Sequence, residues 1–375
     1  MDFSLLNLRI KAFMVRVAYW VVASLDRRWC KPIPIKPSLR ISIPSTISPT
    51  SGKIPLIFYT SKSSGVFRSA LPINEELSTS SNLPRPVLIN FHGGGFTLGG
   101  PEDDARWAST VLKTHNDAIV VSVGYRLAPE NPFPTAIEDC VDAILWLCKH
   151  AEGYNLDRTR FVLSGFSAGG NLTLTVPIRL HEELQRELHS VASNSNAKAP
   201  KCVSEIKLSG LIAFYPSTDC TRTREQRTAS NPISREKSKI SPTLMKLFDD
   251  SYLHAPGSHK IINKKGGSYG ADLSSPYISP GLTPTPQLLA AYPPCVAIYT
   301  CGWDQLLVEG NTFRARLRGL EKEGKLEYVG GRPVKGVIHA WDKVPTFSNS
   351  RGEREKVYEE AVQELKIMWH AGKTD

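Results

Sequence analysis

The sequence predicts an α/β fold, a mainly parallel central sheet flanked by helices, with a cap made of the N-terminal arm and an insertion. Three observations predict it. From about residue 85, short β-branched runs alternate with helical patterns, which is how the strands and crossover helices of a parallel sheet read in sequence. One such run leads into Gly165-Phe166-Ser167-Ala168-Gly169 and then into a helical pattern. Another ends in three consecutive glycines, Gly93-Gly94-Gly95. With 375 residues, 41% of them hydrophobic and 22% charged, the chain can bury a large core.

The arm comes first. Leu5 to Leu25 reads LLNLRIKAFMVRVAYWVVASL, apolar but broken by Arg9, Lys11 and Arg16. Its uninterrupted apolar run, Val17–Leu25, is far shorter than the roughly 20 residues a spanning helix needs. Two readings of residues 1–30 stay open: a helix packed on the protein's own surface, or a basic amphipathic segment lying on a membrane. The formal net charge is +10, and residues 1–40 hold eight Lys/Arg against two Asp. No zinc-finger spacing, aromatic-interleaved basic stretch or basic heptad array accompanies that charge, so no nucleic-acid partner is expected.

Residues 30–54, rich in Pro, Ser and Thr, read as an extended connector. This gives the expected division: arm and connector 1–52, first part of the core 53–215, cap insertion 216–290, second part of the core 291–375. Within the core, Val87–Phe91, Ala118–Val123 and Arg160–Leu163 read as strands and Ala136–Cys148 as a helix, with Thr135 and Glu138 forming a capping box at its start. The polar tract Ser190–Ala199 reads as a solvated loop, and Ile206–Tyr215 as a strand. The insertion follows, with one helical pattern over Ser241–Leu253. The alternation then resumes with strand Cys295–Cys301, helix Glu309–Glu323, strand Leu326–Val329 and helix Glu355–Trp369.

The chemistry is concentrated at strand ends. A serine in a sharp strand-to-helix turn needs small residues two positions away on each side, because a Cβ there would collide with adjoining chain. Gly165 and Gly169 satisfy that need, and the turn holds the Ser167 hydroxyl proud of the sheet, with the Ala168 amide at a helix N-terminus. A bare glycine-serine turn without chemistry is the competing reading. In Ile89-Asn90-Phe91-His92-Gly93-Gly94-Gly95-Phe96 the adjacent glycines leave amides free to face a developing oxyanion. A phosphate cradle would need a following Gly-Lys-Ser/Thr, which is missing. A serine nucleophile also needs a base held by an acid. Asp304, just past the strand ending at Cys301, and His339, past Leu326–Lys335, supply them in the chain order Ser, Asp, His.

HGGGF at His92–Phe96, GFSAGG at Gly165–Gly170, the Asp304-Gln305-Leu306 turn and the late His339 resemble the hormone-sensitive-lipase-like branch of the α/β-hydrolase family, which includes arylacetamide-deacetylase-like enzymes and plant carboxylesterases. Tyr125-Arg126-Leu127-Ala128-Pro129-Glu130 and Pro276-Tyr277-Ile278-Ser279-Pro280 also look like stretches of that branch. The resemblance runs from about residue 85 to 345. It implies Ser167 as nucleophile, His339 as base and then acid, Asp304 as its orienting group, an oxyanion hole from the amides of Gly93, Gly94 and Ala168, and a structural role for Tyr125–Glu130. It implies a small-molecule ester as substrate and neither cofactor nor metal.

Hydrolysis of a carboxylic ester, with deacetylation as a variant, is the leading expectation. Acyl transfer, dehydration or cyclisation of a biosynthetic intermediate on the same triad is the alternative. A ligand receptor without catalysis is a third, disfavoured by the presence of His339. Seven cysteines without a C-x-x-C pair give no disulfide framework, and the one N-x-[ST] acceptor, Asn171-Leu172-Thr173, falls on the helix after Ser167. Both point to an intracellular, cytoplasmic protein.

Overall fold

A computed structural model describes residues 3–30, 32–61, 83–192, 205–238, 240–253, 271–343 and 351–371. Its centre is a sheet ordered β1-β2-β4-β3-β5-β6-β7-β8, with the short β9 paired to the far end of β7. Strands β3 (Arg85–Phe91), β4 (Ile119–Val123), β5 (Leu156–Phe166), β6 (Leu208–Phe214), β7 (Cys295–Cys301), β8 (Tyr328–Gly330) and β9 (Pro333–Val334) pair in parallel. Parallel strands buried on both faces read as continuous apolar runs. Accordingly β3, β4 and β7 are buried at every position.

Helices cover both faces. On one side lie α2 (Ala105–Thr114) and the C-terminal α10 (Arg351–Ala371), packed through Trp107, Tyr358 and Trp369. On the other lie α3 (Thr135–Lys149) and α4 (Ala168–Ala192), packed through Ile137, Ile144, Leu172 and Leu174. Between β6 and β7 the chain leaves the sheet for the cap helices α5 (Arg224–Ser230), α6 (Ile233–Lys237) and α7 (Pro242–Tyr252), then returns through α8 (Thr285–Ala291). α9 (Leu307–Lys322) follows β7, and α1 (Phe3–Trp29) packs against α7 from outside.

Three expectations need correction. Residues 30–54 are not only a connector: Leu39–Pro44 forms β1, an antiparallel edge strand on β2 (Lys53–Thr60), which itself runs antiparallel to β4. Alternating burial along β1 was masked by the Pro and Ser residues around it, and a contact remote in sequence fixes the hairpin. The Arg126 guanidinium donates to Asp139 at 2.7 Å, to Ser45 Oγ at 2.8 Å and to the Thr50 carbonyl at 2.6 Å. Asp139 is fully buried, so losing its partner would cost about 3–5 kcal/mol.

The capping box at Thr135 is also absent. Thr135 is the first helical residue and Pro134 occupies the cap, with no side-chain cap hydrogen bond. The Phe133–Pro134 bond just before the helix is cis. Finally, α4 runs on to Ala192, into the tract read as a loop from Ser190; the remainder of that tract lies outside the described residues.

Candidate active site

Strand β5 ends at Phe166 and α4 begins at Ala168, so Ser167 alone makes the turn. Its φ is +54°, in the left-handed region that costs a residue with a Cβ roughly 1–3 kcal/mol. Its amide is tied to the Phe214 carbonyl at 2.9 Å, which fixes the strained turn from the neighbouring strand. The flanking glycines are a steric necessity. A Cβ on Gly165 would stand 2.2 Å from the Gly169 carbonyl oxygen, and one on Gly169 would stand 1.9 Å from that of Phe91.

The hydroxyl so presented meets a relay. Ser167 Oγ lies 2.8 Å from His339 Nε2, and His339 Nδ1 lies 2.6 Å from Asp304 Oδ2. Asp304 sits in the turn between β7 and α9, 3% exposed, where the Leu306 amide donates to its Oδ1 at 3.1 Å. Asn231 in the cap steadies the same turn by donating to the carbonyls of Gly302 and Asp304. Sequence spacing gave no sign of Asn231, because its partner is reached through the tertiary fold. All three residues expected to work together are therefore brought together.

The glycine loop faces the same point. Gly94 has φ +113° and a Cβ there would come 2.3 Å from the Leu98 carbonyl oxygen, so only glycine fits. Gly93 lies against the elbow itself: a Cβ on it would stand 3.0 Å from the Phe166 carbonyl oxygen and 3.6 Å from Ser167 Cβ. Among the described residues neither amide donates to a backbone carbonyl. Ala168, first residue of α4, carries one of the amides that a helix N-terminus leaves free. The loop is backed by Tyr125, whose hydroxyl donates to the His92 carbonyl at 2.8 Å and whose ring stacks on the His92 imidazole.

Below the turn lies a buried polar network that the sequence did not disclose. Lys343 Nζ lies 2.6 Å from Asp104 Oδ1, 3.0 Å from Asp342 Oδ2 and 3.5 Å from the centre of the Phe166 ring. Tyr215 and Tyr358 donate to the two Asp342 oxygens at 2.5 and 2.6 Å. From Asp104 the network runs to Asn90 on β3, and from Asn90 to Ser164 on β5. It thus joins the strand before the glycine loop, the strand before Ser167 and the segment just after His339. Burial would discharge Lys343, but Asp104 and Asp342 outweigh it and hold its pKa well above the ordinary value.

The same cluster reaches His339. Burial works to lower its pKa, yet the Asp304 charge, the Asp304 hydrogen bond and the Asp342 charge together hold it above the ordinary 6.5. Only the neutral imidazole can accept a proton from serine, and it is depleted as pH falls through that pKa. The acid limb of kcat/KM is therefore expected to have its midpoint above pH 6.5. Asp342→Asn, by removing one negative charge, is expected to move that midpoint to lower pH. An unmoved midpoint in folded variant would show that the Asp342 charge does not act on His339.

A cavity of about 720 Å³ stands over Ser167, His339 and Ala168. The cap supplies most of its walls, including Met245, Phe248 and Tyr252 of α7. Phe96, from the glycine loop, stacks on Tyr252 with ring centres 3.6 Å apart and closes one end. A buried pair clamps the cap to the core: Arg227 of α5 donates to Glu309 of α9 at 2.7 Å. Ser167, Asp304 and His339 thus face a chamber whose lining is more apolar than polar, the usual form of a small-molecule site.

A family model described as alpha/beta hydrolase fold matches residues 88–342. Lipase 2 of a Moraxella species is 34% identical over 197 residues, 48% of this chain and 43% of that one. A probable carboxylesterase of Arabidopsis thaliana is 43% identical over 123 residues, 30% of this chain and 34% of that one. The chain thus spans less than half the length of these two relatives. Among solved structures, the esterase of Pyrobaculum calidifontis superposes with a TM-score of 0.67 at 22% identity, covering 95% of this chain and 93% of that one. That likeness concerns the fold.

Proposed function

Because the chain belongs to the α/β-hydrolase family, in its hormone-sensitive-lipase-like branch, we propose that it hydrolyses carboxylic esters through an acyl-enzyme on Ser167. The observation that carries the reading is the unbroken relay from the Ser167 hydroxyl through both His339 nitrogens to Asp304. As Ser167 Oγ bonds to the ester carbonyl carbon, its proton passes to His339 Nε2 and the carbonyl oxygen becomes an oxyanion. Amides of Gly93, Gly94 and Ala168 receive that charge, each lost donor of this kind costing about 2.7–4 kcal/mol in the transition state. The tetrahedral centre collapses, His339 gives its proton to the departing alkoxide, and the alcohol leaves an acyl-serine behind. Water, deprotonated by His339, attacks the acyl carbon and releases the acid.

The relatives named as a lipase and a probable carboxylesterase support ester chemistry. No cofactor enters these steps. The cysteines at positions 30, 140, 220, 295 and 301, none of them in a disulfide, and the burial of Asn171 against the carbonyls of Ser217 and Ile278, support placing the protein inside the cell. Among the described residues no helix is long and apolar enough to cross a membrane.

The test is turnover of a p-nitrophenyl ester series, acetate to long acyl chains, in water enriched in heavy oxygen. Hydrolysis places solvent oxygen in the released acid, and the chain-length optimum measures the acyl pocket. An acyl group delivered to another alcohol would replace hydrolysis with acyl transfer, and acid released without solvent oxygen would mean that the acyl–oxygen bond is not the one cleaved, which rules out the acyl-enzyme.

A further inference from the structure

Helix α1 is apolar on the side away from the protein. The side it turns to the protein mixes aliphatic residues, the buried Ala12 with Leu8, Val15 and Ala23 half-buried, with polar side chains that find partners on the core. Arg16 donates to the carbonyls of Thr97 and Ala128 at 2.8 and 2.6 Å, and Tyr19 and Arg27 both donate to Asp103. Asp26 pairs with Arg106. The opposite side carries Ile10, Met14, Val17, Val21 and Leu25, spaced three and four residues apart, with Phe13 beside them, all exposed. Phe13 and Met14 are 64% and 65% exposed. Of the sixteen exposed large apolar side chains among the described residues, ten belong to this one helix. A surface helix facing water has the reverse arrangement.

Charge indicates what covers this face. Arg9, Lys11 and Arg28 are exposed around it, and none has an ion pair among the described residues. The acid in the helix body, Asp26, is turned inward. A second copy laid on this face would set cations against cations, whereas an anionic lipid surface would supply the missing charge. Trp20, 65% exposed, stands at one edge of the stripe and Trp29 beyond its end, where amphipathic rings settle at a lipid–water boundary.

We propose that the outer face of α1 docks on an anionic phospholipid surface, lying in its plane rather than crossing it. Resting on the ester-hydrolase reading, the substrate class follows. α1 packs against α7 and holds, through Arg16, the loop that carries Phe96, and both α7 and Phe96 wall the cavity. Docking therefore brings the cavity to the lipid, and the substrates it favours are esters with long apolar chains dissolved in that phase.

The experiment sediments the full chain with vesicles of phosphatidylcholine containing about 30% phosphatidylglycerol, and with phosphatidylcholine alone. Wild type is expected to bind the anionic vesicles. Phe13→Ser with Val17→Ser, and separately Arg9→Gln with Lys11→Gln and Arg28→Gln, are expected to weaken binding at least about ten-fold. Both variants should turn over soluble p-nitrophenyl acetate like wild type but lose rate on a long-chain ester held in the vesicles. Binding that neither variant changes, or no binding, overturns the proposal. A wild-type dimer in sedimentation equilibrium that Phe13→Ser with Val17→Ser dissociates would assign the face to a second copy instead. Failure of p-nitrophenyl acetate turnover in every protein, with docking intact, would count against the ester-hydrolase reading and leave the docking supported.

Discussion

Ser167→Ala is expected to lower kcat/KM for a p-nitrophenyl ester by about 10,000- to 1,000,000-fold while leaving the thermal midpoint within a few degrees of wild type. The kinetic loss is large because the acyl group has no other acceptor: His339 Nε2 would face a methyl group, and the amides of Gly93, Gly94 and Ala168 would be left to polarise a carbonyl attacked only by water. The stability change is small because the hydroxyl's one partner is His339, and alanine occupies φ +54° at a cost similar to that of serine. Stopped assays with purified protein, alongside a melt, check both halves. Turnover reduced less than ten-fold in folded protein would remove Ser167 from the chemistry and with it the acyl-enzyme.

Much of this site was legible in the sequence, for a local reason. The requirement at the elbow is set by residues two positions from Ser167, and Gly94 answers to a backbone angle in its own turn, so both leave motifs. Asp304 was readable because it follows a strand whose apolar run ends abruptly, and His339 because it lies past the next strand and completes the chain order Ser, Asp, His, both at the sheet edge where ligands bind. What was not legible depends on contacts across the fold. Nothing in the pair Asp342-Lys343 marks it as buried against Asp104, far away in the chain, and Tyr358 of the C-terminal helix. The β1 strand was hidden because Arg126 and Asp139, which hold its hairpin, belong to the middle of the core. The arm was left between two readings because both describe it: α1 packs on the protein with one side and leaves the other apolar and bare.

Asp304→Asn is expected to cost about 10,000-fold in kcat, through the tautomer of His339 and not through loss of fold. The carboxylate has two distinct oxygens. Oδ2 accepts from His339 Nδ1, and Oδ1 accepts from the Leu306 amide at 3.1 Å. An asparagine here can present only one acceptor, and the fixed Leu306 donor selects it, which turns the amide NH₂ towards the imidazole. His339 must then accept at Nδ1 and carry its proton on Nε2, where it donates to Ser167 and cannot take the serine proton. The missing carboxylate also withdraws the charge that holds the imidazolium above its ordinary pKa, so the residual activity should have its acid limb at lower pH than wild type. Nitrogen NMR of the labelled imidazole reads the tautomer directly. A folded Asp304→Asn protein with the proton still on Nδ1, or with kcat reduced less than ten-fold, would show that Asp304 does not orient the base.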